Sequence, residues 1–230
     1  MIQLRPAAAR GHADHGWLRT WHSFSFADYH DPAEMGWGAL RVLNEDVVAP
    51  GQGFPTHGHR DMEIVTVILS GALEHRDSLG NGAVIRPGEV QRMSAGTGVR
   101  HSEFNPARDA ATHLLQIWIH PQAAGGAPGY EQRAVPEAPG ATLLASPDGR
   151  DGSVRIGQQA ALWRVRLAPG EDFTAPLAPG RFGYAHVVAG QLRANAQTLA
   201  AGDGLKAADE TAVRFVADAA ADFLWFDLPA

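Results

Sequence analysis

The fold is indicated most clearly by two stretches, H-G-H-R-D-M-E-I-V-T-V-I-L at residues 57–69 and V-R-H-S-E-F at residues 99–104. The first becomes rich in β-branched residues and stops at Gly71, and the second lies between Gly98 and Pro106. Apolar runs punctuated by glycine and proline in this way are typical of β-strands between turns. We therefore expect each stretch to be one strand of a sheet or barrel.

The rest of the chain follows the same pattern. Helical periodicity is scarce, and 26 glycines and 15 prolines separate short apolar runs over 230 residues. This composition favours many short strands joined by turns, as in a sandwich or barrel. We predict an all-β chain with an N-terminal domain at 1–121, a linker rich in Gly, Ala and Pro at 122–150, and a second barrel at 151–230.

Composition excludes several classes of function. The formal net charge is −6 and no Lys/Arg cluster is present, which argues against a nucleic-acid partner. The chain has no cysteine, so disulfides, a thiol nucleophile and thiolate metal ligands are excluded. The N-terminus lacks the apolar run of a signal peptide, and no segment approaches the ~18 apolar residues of a membrane span. We expect a cytoplasmic protein with no membrane partner.

Four residues form a candidate metal site: His57 and His59 on one predicted strand, and His101 and Glu103 on the other. Residues two apart in a strand share a face, so two neighbouring strands could direct three imidazoles and one carboxylate at a single point. One His-x-His pair is a weak signal, but two aligned pairs are much stronger. Buried together without a metal, these groups would cost several kcal/mol unless each found a partner.

Glu63 has the same parity as the histidine pair and could be a fifth inward-facing acid. Four residues of strand would carry it roughly 13 Å beyond His59. A supporting or structural role is therefore expected unless the strand bends sharply.

Nitrogen and carboxylate donors without sulfur suit Fe(II), Mn(II), Ni(II), Zn(II) or Cu(II). An octahedral ion with four protein ligands keeps two positions free, where a substrate and dioxygen can meet. Glu103 could also accept a proton from a hydroxyl bound beside it.

Two longer motifs resemble the two cupin motifs. They are G-x5-H-x-H-x3-E at 51–63 and P-G-E…M-S-A-G-T-G-V-R-H-S-E-F-N at 87–105. The segments that more narrowly resemble the pirin family are H-G-H-R-D-M-E at 57–63, D-S-L-G-N at 77–81 and S-A-G-T-G-V-R-H-S-E at 94–103. The opening R-G-H-A-D-H-G-W and the ending F-D-L-P are similar to bacterial members with quercetin 2,3-dioxygenase activity.

The resemblance implies a bicupin, with two antiparallel β-barrels of jelly-roll type in one chain and a metal only in the N-terminal barrel. It implies His57, His59, His101 and Glu103 as the ligands, and it implies that Glu63 does not coordinate. Gly58 departs from the proline of many relatives, which loosens the turn between the two histidines without removing a donor.

The implied activity is a metal-dependent dioxygenase that opens the heterocyclic ring of flavonols such as quercetin and releases carbon monoxide. One divalent metal ion is expected, with Fe(II) as the first candidate and Mn, Ni, Co, Cu or Zn as alternatives. The small-molecule partners are then a flavonol-like compound and dioxygen, and Glu103 is the candidate catalytic residue. Aromatic residues expected to supply an apolar mouth are Phe24, Phe26, Phe54 and Trp118.

Two other functions stay open from the sequence. The first is a metal-dependent regulatory pirin that binds a protein partner without turnover, a role the family also has. The second is a cupin isomerase or epimerase of sugars, for which Arg41, Arg92 and Arg100 would have to recognise charged or hydroxyl groups.

Overall fold

The computed structural model describes residues 1–230 and consists mainly of short β-strands. The first twelve strands are β1 (Ile2–Arg5), β2 (Gly11–Asp14), β3 (Leu18–His22), β4 (Leu40–Val48), β5 (Gly53–His59), β6 (Glu63–Ser70), β7 (Leu73–Asp77), β8 (Gly82–Ile85), β9 (Glu89–Ser94), β10 (Val99–Phe104), β11 (Thr112–Ile119) and β12 (Gly129–Ala134). The other ten are β13 (Gly140–Ser146), β14 (Val154–Arg155), β15 (Ala161–Leu167), β16 (Asp172–Pro176), β17 (Arg181–Ala189), β18 (Gln191–Ala194), β19 (Gln197–Ala200), β20 (Gly204–Ala208), β21 (Ala212–Ala217) and β22 (Ala221–Pro229). The chain also contains two short 3₁₀ helices, Ala7–Ala9 and Arg150–Gly152.

Each half of the molecule contains one seven-stranded and one four-stranded sheet. In the N-terminal half these have the orders β12-β9-β6-β11-β4-β3-β2 and β5-β10-β7-β8. The C-terminal half has the orders β1-β20-β17-β22-β15-β13-β14 and β16-β21-β18-β19. Only the short pair β13–β14 is parallel. The predicted all-β architecture of two antiparallel units is confirmed.

Strand alternation explains where the main core lies. On β11, Leu115 and Ile117 point to one face of the sheet and join a core that contains Leu162 and Phe226 of the other half. Because neighbouring side chains on a strand point oppositely, Gln116 faces the interior of the N-terminal half instead. The two halves therefore share their largest apolar core between the seven-stranded sheets, and each half also has an interior of its own.

The sequence predicted one strand over residues 57–69, but the structure has two. The strand is interrupted between His59 and Glu63, where Asp61 has a φ of 49°. β5 belongs to the four-stranded sheet and β6 to the seven-stranded sheet. Asp tolerates this left-handed conformation better than most residues, and a sharp change of direction follows from it.

The segment 122–150, predicted as a linker with little periodicity, contains regular structure. Its strand β12 pairs with β9 of the N-terminal half, and its strand β13 pairs with β15 of the C-terminal half. The segment does cross between the halves, but it adds one strand to each. The N-terminal strand β1 was also unexpected, since it pairs with β20 of the C-terminal half.

The structure contains no helix with the length and hydropathy required to cross a membrane.

Candidate metal centre

The three predicted imidazoles converge on one point. β5 and β10 pair in antiparallel register, with His57 opposite His101 and His59 opposite Val99. The Nε2 atom of His101 lies 3.0 Å from Nε2 of His59 and 3.1 Å from Nε2 of His57. The i, i+2 spacing on two paired strands thus places all three rings on the same face, as the sequence indicated.

A β-bulge beside the site fixes the ring of His57. The register of β5 against β10 shifts by one between His101 and Glu103, so Pro55 and Thr56 together lie opposite one residue of β10. Proline is tolerated at a bulge because it has no N–H to donate to the ladder. The Pro55 carbonyl accepts a hydrogen bond from Nδ1 of His57 at 2.8 Å, which leaves Nε2 unprotonated and able to bind a metal.

Glu103 lies beside these rings in a second group. Its carboxylate, His75 and His101 form a group of possible ligand atoms within 4.8 Å of one another, as do His57, His59 and His101. Gln116 Nε2 donates to both carboxylate oxygens, at 3.0 and 3.3 Å. The Thr66 hydroxyl donates to Gln116 Oε1 at 2.9 Å and so orients the amide.

The spacing of the imidazole nitrogens fits a divalent ion. Two nitrogen donors that each lie about 2.1 Å from one ion, at a right angle, are about 3.0 Å apart. The observed separations of 3.0 and 3.1 Å match neighbouring positions of an octahedral centre. The donors are nitrogen and oxygen only, which suits a first-row transition metal.

Burial sets the protonation states around this point. It lowers the pKa of His59 to about 4 and, with help from the neighbouring imidazoles, lowers the pKa of His101 still further. Both rings are therefore neutral at pH 7, as metal ligands must be. Burial also raises the pKa of Glu103 to about 7, with a smaller contribution from the charge of Asp46. The pKa of Asp46 itself is raised to about 7, chiefly by burial.

A cavity of about 330 Å³ opens onto the three imidazoles and Glu103. Its apolar walls come from Trp17, Leu18, Phe26, Ala27, Phe54, Ile64 and Trp118, and its polar walls from His15, Thr20, His22, Asn44, Asp46 and Gln116. Three of the four aromatics predicted for this mouth line it. Phe24 does not, because it is fully buried in the shared core with its ring 5.3 Å from that of Tyr184.

The polar wall of this cavity was not predicted from the sequence. Asn44, Asp46 and Gln116 are all buried, and they lie on the central strands β4 and β11. The i, i+2 spacing of Asn44 and Asp46 on β4, which puts both side chains on one face, was the available signal. Neither strand carries a ligand motif, so only the pairing of β4 with β11 shows that these side chains share a space.

Glu63 lies away from this centre. It lies on the face of β6 that points toward the other half of the molecule. Its carboxylate accepts a hydrogen bond from Ser94 Oγ at 2.7 Å. It lines a larger polar cleft of about 670 Å³, together with Arg92 and Arg155. The larger cleft contains none of the converging imidazoles, so the smaller cavity is the candidate site.

The arginines considered for sugar recognition do not line the candidate cavity. Arg41 donates to the backbone oxygen of Ser25 at 2.7 Å, Arg92 lies in the larger cleft and Arg100 is exposed. The cavity therefore offers no cationic side chain of this set to a phosphate or sugar, which disfavours the isomerase interpretation.

Comparison with known proteins places the chain in a family. The model of the family described as Pirin matches residues 3–119, and the model described as the quercetinase C-terminal cupin domain matches residues 143–228. The chain is 49% identical to quercetin 2,3-dioxygenase of Escherichia coli strain K12 over 229 residues, covering 100% of this chain and 99% of that protein. It is 42% identical over 221 residues to a pirin-like protein of Caulobacter vibrioides, covering 94% and 95% of the two chains.

A solved structure agrees over the same length. The crystal structure of the bacterial pirin YhhW from Escherichia coli, in complex with nickel(II), superimposes with a TM-score of 0.97 at 49% identity. The match covers 100% of this chain and 99% of that one. The cupin architecture expected from the motifs is thereby confirmed for both halves, and the chain belongs to the pirin family.

Proposed function

We propose that this protein is a metal-dependent dioxygenase that opens the heterocyclic ring of flavonols such as quercetin, with release of carbon monoxide. The observation that carries the proposal is the convergence of three imidazoles on a largely apolar cavity, with Nε2 of His101 lying 3.0 Å from Nε2 of His59 and 3.1 Å from Nε2 of His57. A full-length relative at 49% identity is named quercetin 2,3-dioxygenase, and a pirin structure of the same similarity holds nickel(II).

The proposed ligands are His57, His59, His101 and Glu103. Fe(II) is the first candidate for the ion, and Mn, Ni, Co, Cu or Zn fit the same donors. When bound, such an ion would supply the Lewis-acid and redox chemistry that brings a hydroxyl of the substrate together with dioxygen.

The shape of the cavity suits a flat aromatic ring system. Its volume of about 330 Å³ lies at the lower end of the range of roughly 300–1,000 Å³ that is usual for small-molecule sites. Phe26 and Trp118 meet edge to face at 5.4 Å and present aromatic surface next to the imidazoles. The apolar walls would exclude water from the rings, while the Asn44 and Asp46 side would accept hydroxyl groups.

Glu103 is the proposed proton acceptor. As a ligand of the ion, its carboxylate would lie within hydrogen-bond reach of a hydroxyl bound at a neighbouring position. Gln116 holds the carboxylate through two donated bonds, so its orientation is set before the substrate arrives. The carboxylate would take the proton from the flavonol 3-hydroxyl.

The experiment is oxygen uptake with quercetin after anaerobic reconstitution with Fe(II), Mn(II), Ni(II), Co(II) or Cu(II), with Zn(II)-loaded and metal-free protein as controls. Metal-dependent uptake together with carbon monoxide is expected. His57→Ala and Glu103→Ala should abolish it, whereas the exposed His30→Ala should not. Uptake at the wild-type rate in a His57→Ala protein that has lost its metal would refute the site.

The alternative is a regulatory pirin that binds metal and a protein partner without turnover. Stoichiometric metal binding with no uptake for any ion would favour it. The surface gives this alternative little support, because the exposed large hydrophobic residues are only Met1, Met35 and Leu79. We therefore rank the oxygenase first.

A further inference from the structure

A fourth histidine, His75, lies beneath the candidate metal centre. It is on β7, which pairs with β10 so that His75 is opposite Glu103 and Asp77 is opposite His101. The Nδ1 atoms of His75 and His101 are 3.4 Å apart, and Nε2 of His75 is 3.2 Å from Oδ2 of Asp77. The side chains of His75 and Asp77 are fully buried. The three side chains therefore form a continuous row from the centre to the turn that follows β7.

The hydrogen-bond partners of Asp77 fix the direction of this row. Its Oδ1 accepts from the backbone N–H groups of Leu79 and Asn81, at 2.9 and 3.0 Å, and the Asn81 amide donates to Oδ2 at 2.9 Å. A carboxylate surrounded by donors is ionised and can only accept, so His75 donates to it from Nε2. His75 Nδ1 then has a free lone pair and accepts from Nδ1–H of His101. Nε2 of His101 is left unprotonated, facing the other two imidazoles.

The D-S-L-G-N turn at 77–81 builds this arrangement. The Ser78 N–H donates to the Arg100 carbonyl at 2.8 Å, and the Arg100 N–H donates to Ser78 Oγ at 3.1 Å, which ties the turn to β10. Tyr130 on β12 stacks on the ring of His75 at 4.8 Å and restricts its rotation. The turn thus places one carboxylate at the end of a buried pair of rings.

We propose that Asp77 and His75 are positioning residues for the metal centre: together with His101 they form a relay that fixes the Nδ1–H tautomer of His101 and presents its Nε2 to the ion. The inference depends on the metal site of the proposed function and not on the reaction. Hydrogen-bond partners of metal-bound histidines typically contribute about 10- to 100-fold in metal affinity.

Asp77→Asn tests the direction of the relay. The asparagine Oδ1 can still accept from the turn, but its Nδ2 is a donor and would face Nε2 of His75. His75 would then carry its proton on Nδ1 and donate to His101, which would move the His101 proton to the metal-binding nitrogen. The same inversion of tautomer accompanies the aspartate-to-asparagine change in serine protease triads.

The first measurement is the tautomeric state of His75, by NMR of ¹⁵N-histidine-labelled protein, both metal-free and loaded with Zn(II). The wild-type ring should carry its proton on Nε2, and Asp77→Asn should move it to Nδ1. The second is Ni(II) and Zn(II) affinity by chelator competition, where Asp77→Asn and His75→Leu should weaken binding about 10- to 100-fold. His75→Gln should recover part of this loss, because its amide oxygen can accept from His101.

Ser78→Ala is the matched control, since it perturbs the same turn without touching the relay. Its metal affinity should stay within about twofold of the wild type, and all variants should keep the far-ultraviolet circular dichroism of the folded protein. A wild-type His75 protonated on Nδ1, or an Asp77→Asn protein with unchanged metal affinity, would overturn the relay. A protein that binds metal through this relay but takes up no oxygen would refute only the proposed reaction, and one that binds no divalent ion would overturn both.

Discussion

The two halves of the molecule have the same arrangement of sheets but different side chains in their interiors. The four-stranded sheet β5-β10-β7-β8 of the N-terminal half corresponds strand for strand to β16-β21-β18-β19 of the C-terminal half. The pair β5/β10 presents three imidazoles and a buried carboxylate to the interior. The pair β16/β21 presents Ala175, Val213 and Phe215, all of them buried in one apolar core.

The interiors differ accordingly. In the C-terminal half a single core of 17 buried residues fills the space between the sheets. In the N-terminal half the interior has two separate apolar clusters, of six and four buried residues, and the cavity lies among their members Leu18 and Ile64. The strand framework that the two halves share therefore does not itself specify chemistry, which depends on the side chains that a few inward strand positions carry.

The largest effect is expected when the inward-facing residues of β10 are replaced by the apolar residues of β21. His101→Val combined with Glu103→Phe removes two donors, so metal affinity should fall at least about 1,000-fold and oxygen uptake should disappear. The metal-free protein should be as stable as the wild type or more so, because burying polar and ionisable groups costs more than burying apolar ones. Chelator competition and urea denaturation measure the two effects.

Ser102→Ala, between the two changed positions on β10, is the control and should retain metal. If the double variant binds metal with wild-type affinity, the ligands lie elsewhere.

The second test removes packing from the C-terminal interior. Phe215 is fully buried, and its ring lies 4.7 Å from Phe223 and 5.4 Å from Trp225. Phe215→Ala should lower the free energy of unfolding by about 3–5 kcal/mol and leave metal affinity unchanged in the folded protein. Phe173→Ala, at a partly exposed position, should cost less. A Phe215→Ala protein that is stable but has lost metal affinity would show that metal binding in the N-terminal half depends on packing in the C-terminal half.

The third test concerns the buried acid of the N-terminal interior. The pKa of Asp46 is raised to about 7 in the folded protein, from its ordinary value of 3.8. The contribution of neutral Asp46 to the free energy of unfolding is therefore fully present below about pH 4. It is lost as the pH rises through about 7. The stability of metal-free Asp46→Asn relative to the wild type should rise between pH 4 and 8, by up to about 4 kcal/mol.

Urea denaturation at several pH values measures this difference. The exposed carboxylate variant Asp109→Asn should show no such trend. A constant difference between Asp46→Asn and the wild type across this range would mean that Asp46 is not held neutral by burial.

The smallest effect is expected from removing an aromatic side chain from the cavity wall. Phe26→Ala removes an aromatic surface that packs against Trp118, and we expect KM for quercetin to rise roughly tenfold with little change in kcat. Phe182→Ala in the C-terminal half, outside the cavity, should leave KM unchanged. Steady-state oxygen uptake measures both variants, and equal KM values would place the substrate away from this wall.

The strand-rich architecture and the group of converging imidazoles could be predicted from the sequence alone. Both follow from local rules: alternation puts residues i and i+2 on one face, and glycine and proline end the strands. His57, His59 and His101 could be identified because residues two apart in a strand stay on the same face whichever strand they pair with. The motif resemblance supplied the bicupin expectation in the same way, from short stretches of adjacent residues.

The other groups that belong to the site could be identified only once the strands were seen in their folded positions. The break at Asp61 moves Glu63 to the face that meets the other half, and strand pairing brings Asn44, Asp46 and Gln116 to the cavity from separate segments. The register of β7 against β10 likewise places His75 and Asp77 behind His101. Which strands pair, and in what register, depends on contacts between residues far apart in the chain, and the spacing within one strand does not by itself identify the partner strand.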